Sequence, residues 1–246
     1  MKISIITVSF NSAQTIEDTI QSVLSQDYND IEYIIIDGDS SDKTIEIVNR
    51  YKADIQYFLS EPDNGIYDAM NKGVKASKGD VIGILNSDDV YENSSVISNI
   101  VKSLKDSDAV YADLVYVQQN NLNHIKRHWK SGKYKIGSFL NGWMPPHPTF
   151  FVKKTCYQKY GLYNTSLKSA ADYELMLRFI HKNKIKVEYF NGVVVKMRLG
   201  GVSNLSFTNR LKANREDRLA WKINNLNPSL FTFLLKPLRK LTQFRI

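Results

Sequence analysis

Five short apolar runs alternate with four stretches of helical periodicity over the first 117 residues, and few folds accept that pattern. The runs are residues 3–8, 33–36, 55–59, 81–85 and 109–117. Between them Ile16, Ile20, Val23 and Leu24, then Ile45 and Val48, then Ile66, Met70 and Val74, then Val96, Ile97, Ile100, Val101 and Leu104 recur at helical spacing. Near-continuous apolar strands separated by amphipathic helices predict an α/β fold with a doubly wound, mostly parallel sheet covered on both faces. In such sheets ligands bind beyond the carboxyl ends of the strands, so the polar residues just after each run carry the interest.

Three of those ends are acidic. Asp37 closes the second run, with Asp39 and Asp42 behind it; Asp63 follows the third; Asp88 and Asp89 follow the fourth. Adjacent carboxylates at a strand end suit a hard cation with oxygen ligands. Mg²⁺ or Mn²⁺ there would hold a diphosphate and neutralise it as it leaves. Asp37 could accept a hydrogen bond from a base or ribose. Each aspartate taken singly also reads as a turn former or helix cap; several on one sheet edge weaken that reading. No GxGxxG or P-loop pattern follows the first strand, against a dinucleotide oxidoreductase or P-loop kinase.

Beyond residue 118 the rhythm changes. Residues 119–134 are polar, basic and strand-poor, with Lys126, Arg127, His128 and Lys130 around Trp129. Residues 143–148 form a proline-rich turn, a helix signal begins near Asp172, and residues 187–197 predict a strand pair around Asn191-Gly192. Ser169-x-x-Asp172 resembles a capping box.

The net charge is +8 and the pI about 9.3, which favours an anionic partner: nucleic acid, a phosphorylated small molecule or an anionic membrane face. The one cysteine, Cys156, allows no internal disulfide and no Cys/His metal cluster. The N-terminus is too short in apolar residues for a signal peptide, and no run approaches the ~20 residues of a membrane span. A cytoplasmic protein is expected.

Residues 5–11 (ITVSFN after the first isoleucine), 36–42 (IDGDSSD) and 86–89 (NSDD), with SVLSQ at 22–26, resemble family 2 glycosyltransferases of the GT-A fold. Residues 61–73, EPDNGIYDAMNKG, resemble a bacterial subgroup that builds O-antigen, capsule and similar exopolysaccharides. The likeness spans residues 1–205. It implies a nucleotide-sugar donor, with a UDP-sugar expected, and a nucleotide-binding half (1–117) before an acceptor half (118–205). Val8, Ser9 and Phe10 would line the base pocket and Asp37 would contact the base, with Asp39, Asp63 and Lys72 also on the donor. Asp88 and Asp89 would hold Mn²⁺ or Mg²⁺, with Asp88 near the ribose. Asp172 falls at the general base, whose proton abstraction with direct displacement would invert the anomeric centre. Glu174 is its understudy, and His147 and Arg198 stand where acceptor or closing-loop contacts occur, the latter before Gly200, Gly201, Val202 and Ser203. Three positions depart from the pattern: Gly38 replaces a second acid, Asn86 the first acid of the metal motif, and Met70 an arginine for which Asn71 and Lys72 can compensate.

Residues 206–246 read as a basic, amphipathic helical extension. Phe231, Leu234, Leu235, Leu238, Leu241 and Phe244 are interleaved with Lys236, Arg239, Lys240 and Arg245, and Pro237 would kink it. Such a segment can lie on the inner membrane surface or pack on the domain. A saccharide or lipid-linked saccharide is the expected acceptor and nucleic acid is not an expected partner. The processive signature Gln-x-x-Arg-Trp is absent, so single-sugar addition is expected. A sugar-phosphate nucleotidyltransferase and a non-enzymatic basic RNA- or membrane-binding module are the alternatives.

Overall fold

The computed structural model describes residues 1–200, 207–229 and 231–241, without the side chains of 207–212, 240 and 241. Gly201, Val202, Ser203, Phe244 and Arg245, and the side chains of Lys240 and Leu241, therefore lie outside the described residues.

The parallel half follows the sequence pattern closely. Strands β1 (Ile3–Ser9), β2 (Ile31–Asp37), β3 (Tyr57–Ser60) and β4 (Val81–Asn86) run parallel in the order β3-β2-β1-β4. Helices α1 (Ile16–Leu24), α2 (Thr44–Arg50), α3 (Ile66–Ala76) and α4 (Val96–Leu104) connect or follow them. Side chains alternate across the sheet. Ile3 and Ile5 pack with Ile16, Ile20 and Ile97 on one face, while Ile6 and Val8 pack with Met70 and Val74 on the other. Both faces are thus buried, which is why these strands read as continuous apolar runs.

The sheet continues through β5 (Asp89–Tyr91), β6 (Ala109–Gln118), β7 (Asn121–Trp129), β8 (Phe151–Lys153) and β9 (Val187–Arg198). Its path is β3-β2-β1-β4-β8-β6-β9-β5, with β7 paired to β6. The β4–β8, β6–β8, β5–β9 and β6–β7 pairs are antiparallel, and β6–β9 is parallel. Two expectations are corrected. Residues 119–134 are not strand-poor: β7 is an edge strand, mostly exposed, so its polar sequence carries no apolar alternation. Residues 187–197 form one strand rather than a pair at Asn191-Gly192. The break in pattern is a bulge, where the β6–β9 register shifts around Asp113.

Helices α5 (Lys154–Tyr160) and α6 (Ala171–Met176) follow, and α6 continues into a π-helical stretch at Leu177–Lys182. The chain then forms α7 (Phe207–Ile223) and α8 (Thr232–Leu241). Pro237 lies inside α8 rather than ending it. An interior proline costs about 3 kcal/mol, and α8 is anchored along its length: Thr232 donates to the Leu140 carbonyl at 2.6 Å, Phe233 is buried, and Arg239 donates to the Asn141 carbonyl at 2.9 Å. Among the described residues no helix is long and apolar enough to cross a membrane.

Candidate functional site

The loops at the carboxyl ends of β1, β2 and β4 are sewn together by the polar residues of their motifs. Asn11, in the left-handed region at φ 47°, accepts from the Ser41 N–H at 2.9 Å, and its own N–H donates to Ser40 Oγ at 2.8 Å. The Ala13 N–H donates to Asp42 at 3.0 Å. Ser12 and Ser87 share a hydrogen bond at 2.7 Å, which ties the first loop to the loop before Asp88. Much of what the motifs spell is therefore their own scaffold.

Asp37 belongs to that scaffold. It is fully buried, and its carboxylate accepts from Ser9 Oγ (2.9 Å), Ser40 N–H (2.8 Å), Ser40 Oγ (2.6 Å) and Ser60 Oγ (2.8 Å). This corrects its expected contact with a base: four donors saturate the carboxylate beneath the surface. Ser9 is likewise buried and committed to Asp37, and Val8 packs in the core, so neither offers an open side chain to a ligand. Phe10 is 63% exposed at the strand end. Asp39 is exposed with φ 66°, and Asp63 lies against Gly38. A Cβ at Gly38 would stand 2.6 Å from Asp63 Oδ2 and 3.5 Å from the Phe10 ring, so the missing second acid makes room for Asp63. Phe10, Asp39 and Asp63 thus converge on one edge. Lys72 is corrected too: it donates to the Pro62 carbonyl at 3.0 Å and pairs with Glu61 at 2.8 Å, bracing the loop that carries Asp63.

Asp88 and Asp89 part company. Asp88 is partly exposed just past β4, and burial raises its pKa, with the Arg198 guanidinium opposing. Asp89 begins β5 and is fully buried; burial first, and the Asp88 charge second, hold its carboxyl well above the usual range. Asn86 Nδ2 donates to Asp89 Oδ2 at 3.3 Å. Asn86 Oδ1 and Asp89 Oδ1 are both buried and without a hydrogen-bond partner. Orphaned buried acceptors are costly, and a divalent cation is a partner that suits these two oxygens with the Asp88 carboxylate beside them. Among the described residues no group of three His, Cys, Asp or Glu converges, so a cation here would draw further ligands from phosphate oxygens and water, as Mg²⁺ commonly does. Arg198 is not an open acceptor contact. It is buried, donates to the Asp88 carbonyl at 2.8 Å and the Gln119 carbonyl at 3.2 Å, and pairs with Asp18, thereby pinning the Asp88 main chain.

Asp172, the second residue of α6, is partly exposed and accepts from Tyr67 Oη of α3 at 3.0 Å. The same end of α3 follows the Asp63 loop, and Lys168 Nζ donates to the Asn64 carbonyl at 3.0 Å, so the Asp172 segment and the Asp63 loop are neighbours. His147 is buried with Nε2 2.7 Å from Tyr163 Oη. Burial lowers its pKa against the pull of Asp172, which makes it a neutral support and corrects the acceptor role. Glu174 is corrected as understudy: it is buried, bound bidentately by Arg178 at 2.9 and 3.0 Å, and accepts from Asn224 at 2.8 Å.

The capping box at Ser169 does not form, and Glu216 of α7 takes that work instead. Its carboxylate accepts from the Lys168 N–H at 3.1 Å and the Ser169 N–H at 2.7 Å. One face of α7 grips the Asp172 segment: beyond Glu216, Trp221 donates to Tyr173 Oη at 2.9 Å and Asn224 reaches Glu174. Asp217 binds Lys236 at 2.7 Å, whose ammonium lies 3.6 Å over the Tyr173 ring. The sequence singled out neither Glu216 nor Tyr67; Tyr67 does lie inside the EPDNGIYDAMNKG stretch, which was the available signal. Replacing Glu216 by alanine is expected to cost roughly 1 kcal/mol, the usual net worth of an intramolecular hydrogen bond, measurable by urea denaturation.

The family model for glycosyl transferase family 2 matches residues 4–165, about two thirds of the chain. The chain belongs to glycosyltransferase family 2. Its relatives include an uncharacterized glycosyltransferase of Mycobacterium tuberculosis, 33% identical over 178 residues, covering 72% of this chain and 68% of that protein. A PGL/p-HBAD biosynthesis glycosyltransferase of Mycobacterium bovis is 27% identical over 208 residues, covering 82% and 78%. Among solved structures, S. aureus TarS 1-349 in complex with UDP-GlcNAc superposes with TM-score 0.73 at 16% identity over 98% of this chain and 73% of that one. The mannosyltransferase PcManGT from Pyrobaculum calidifontis, in complex with GDP-Man and Mn²⁺, gives 0.68 at 18% over 97% and 68%. The fold of this glycosyltransferase is GT-A. Membership sets aside the nucleotidyltransferase and RNA-module alternatives.

Proposed function

We propose that this glycosyltransferase is a metal-dependent, inverting, nonprocessive enzyme. In this reading it moves one sugar from a nucleotide-sugar, most readily a UDP-sugar, to a saccharide or lipid-linked saccharide acceptor in bacterial surface-polysaccharide assembly. The observation that carries the reading is the set of partnerless buried oxygens of Asn86 and Asp89 beside Asp88, at the sheet edge shared with Phe10, Asp39 and Asp63. Phe10 would stack on the base, while Asp39 and Asp63 would accept hydrogen bonds from base and ribose. Asp88 would hold Mn²⁺ or Mg²⁺ with Asn86 and Asp89 behind it; when bound, the cation neutralises the departing diphosphate. Asp172 takes the proton of the acceptor hydroxyl as that oxygen bonds to the anomeric carbon. The bond from the anomeric carbon to the phosphate oxygen breaks, and its electron pair leaves with the nucleoside diphosphate. A single displacement from the face opposite the leaving group inverts the centre.

The donors in the TarS and PcManGT complexes, the Mn²⁺ of the latter and the glycolipid work named for the M. bovis relative support this reading. The C-terminal helices support a cytoplasmic site at the inner membrane face. Residues 207–246 hold nine Lys and Arg against two acids, and Phe231 just before α8 and Leu234 and Leu238 on it are exposed.

The test is a donor-hydrolysis screen with Mn²⁺ and a panel of UDP-, GDP- and dTDP-sugars, read as nucleotide release. Release from one donor that stops on chelation supports the proposal; release that ignores chelation contradicts its metal dependence. A finer prediction follows from Gly38. The Gly38→Ala methyl would displace the Asp63 carboxylate, and losing a hydrogen bond between that charged group and the donor would cost about 1.5–3 kcal/mol. Nucleotide affinity in calorimetric titration is expected to fall roughly tenfold or more, with 1.4 kcal/mol per factor of ten.

A further inference from the structure

The donor reading leaves much of α3 unexplained, although α3 carries the core of the EPDNGIYDAMNKG stretch. Its polar residues point two ways. Lys72 and Asp68 serve the Asp63 loop, the latter accepting from the Asn64 N–H at 3.1 Å. Tyr67 and Asn71 turn to the opposite side. Asn71 clamps Tyr163 by its main chain, donating to the carbonyl and accepting from the N–H, both at 2.9 Å. Tyr163 in turn stacks on Tyr67, ring centroids 5.9 Å apart and 19° from parallel, and holds His147 at 2.7 Å. Tyr67 is thus a buried ring fixed on one side by a fixed ring, with its hydroxyl 3.0 Å from Asp172 Oδ1.

We propose that Tyr67 is the positioning residue of the base: its hydroxyl occupies Asp172 Oδ1, sets the carboxylate's rotamer and leaves Oδ2 for the acceptor hydroxyl. The inference rests on Asp172 being the base. It also makes α3 the rigid link between donor and acceptor sides, since one helix carries the brace of Asp63 and the brace of Asp172. A tyrosine suits the task because burial, and then the charge of Asp172, keep the phenol protonated far above neutral pH, so it stays a donor throughout the working range. The titratable and charged groups around this carboxylate are Tyr67 of α3, His147 and Tyr163 from the segments beside it, Lys168 just before α6, and Glu216 of α7.

The experiment compares Tyr67→Phe, Asp172→Asn and the double variant with the full chain, using the donor found in the screen and a saccharide acceptor. Tyr67→Phe keeps the stacked ring and removes one oxygen. It is expected to lower kcat about tenfold or more, since small misplacement of a reacting group is enough for that, while donor KM and nucleotide binding stay unchanged. The double variant should be no slower than Asp172→Asn alone. A Tyr67→Phe enzyme with unaltered kcat, or one whose donor KM rises as kcat falls, overturns the inference, as does a further tenfold loss in the double variant. Undiminished transfer by Asp172→Asn would instead overturn the base assignment on which the inference rests, so the two failures are separable.

Discussion

Asp172→Asn is expected to abolish measurable sugar transfer while leaving nucleotide binding intact. The amide is isosteric and still accepts from Tyr67 Oη, so the α6 start and its contacts with α7 should persist. What it loses is the capacity to take a proton. General-base catalysis by a placed side chain is worth about 10²–10⁴-fold, and kcat should fall by that factor at every pH. The check is paired: steady-state transfer for the loss, calorimetric titration of UDP with Mn²⁺ for the retained binding. Equal losses in both would mean that the substitution disturbed the donor side, which adjoins the Asp172 segment through Tyr67 and Lys168.

Asp88→Ala is the complementary result. Asp88 is the member of the acidic pair with access to a ligand, whereas Asp89 is enclosed. Its loss should therefore remove metal-dependent nucleotide binding and with it activity, by about 10²-fold or more if the cation supplies the several kcal/mol usual for charge neutralisation. Stability should change little, because Asp88 is anchored through its carbonyl to Arg198, and that bond survives truncation of the side chain. Asp89→Ala offers no such clean reading. It deletes a fully buried group bonded to Asn86 on β5 and tests packing together with chemistry.

These two residues show what the sequence reveals and what it hides. The four parallel strands and their helices are readable because burial on both faces writes itself as apolar runs, and Ile66, Met70 and Val74, singled out by spacing, all lie on α3. The three-residue strands β5 and β8 are too short to show a period, and β7 is mostly exposed at an edge, so hydropathy marks none of them. The acidic strand ends are likewise visible as a set, but their division of labour is not. A carboxylate that accepts from Ser9, Ser40 and Ser60 looks in sequence like one that faces a ligand, since Asp-Gly-Asp-Ser-Ser spells either arrangement. Asp37 proves to hold the loop, while Asp39 and Asp63 are left at the edge. Glu216 escapes notice for a different reason: it completes the start of a helix 47 or 48 residues away, a partnership without local pattern.

The helical extension is the part whose reading changes most. As sequence it is a basic amphipathic segment of ambiguous allegiance. In the structure α7 and Asn224 just past it form hydrogen bonds with Lys168, Ser169, Tyr173 and Glu174, bracing the segment that carries Asp172. The exposed Phe231, Leu234 and Leu238 are the surface offered to the membrane contact proposed above, on residues that this bracing does not use.

The most direct measurement is a calorimetric titration of UDP into the protein, with Mn²⁺ and with chelator, run on the natural chain and on Asp88→Ala. Saturable binding that needs the metal and disappears in the variant is the predicted result. Binding of equal strength with and without metal, or unchanged in Asp88→Ala, would contradict a cation held by Asp88 at the sheet edge.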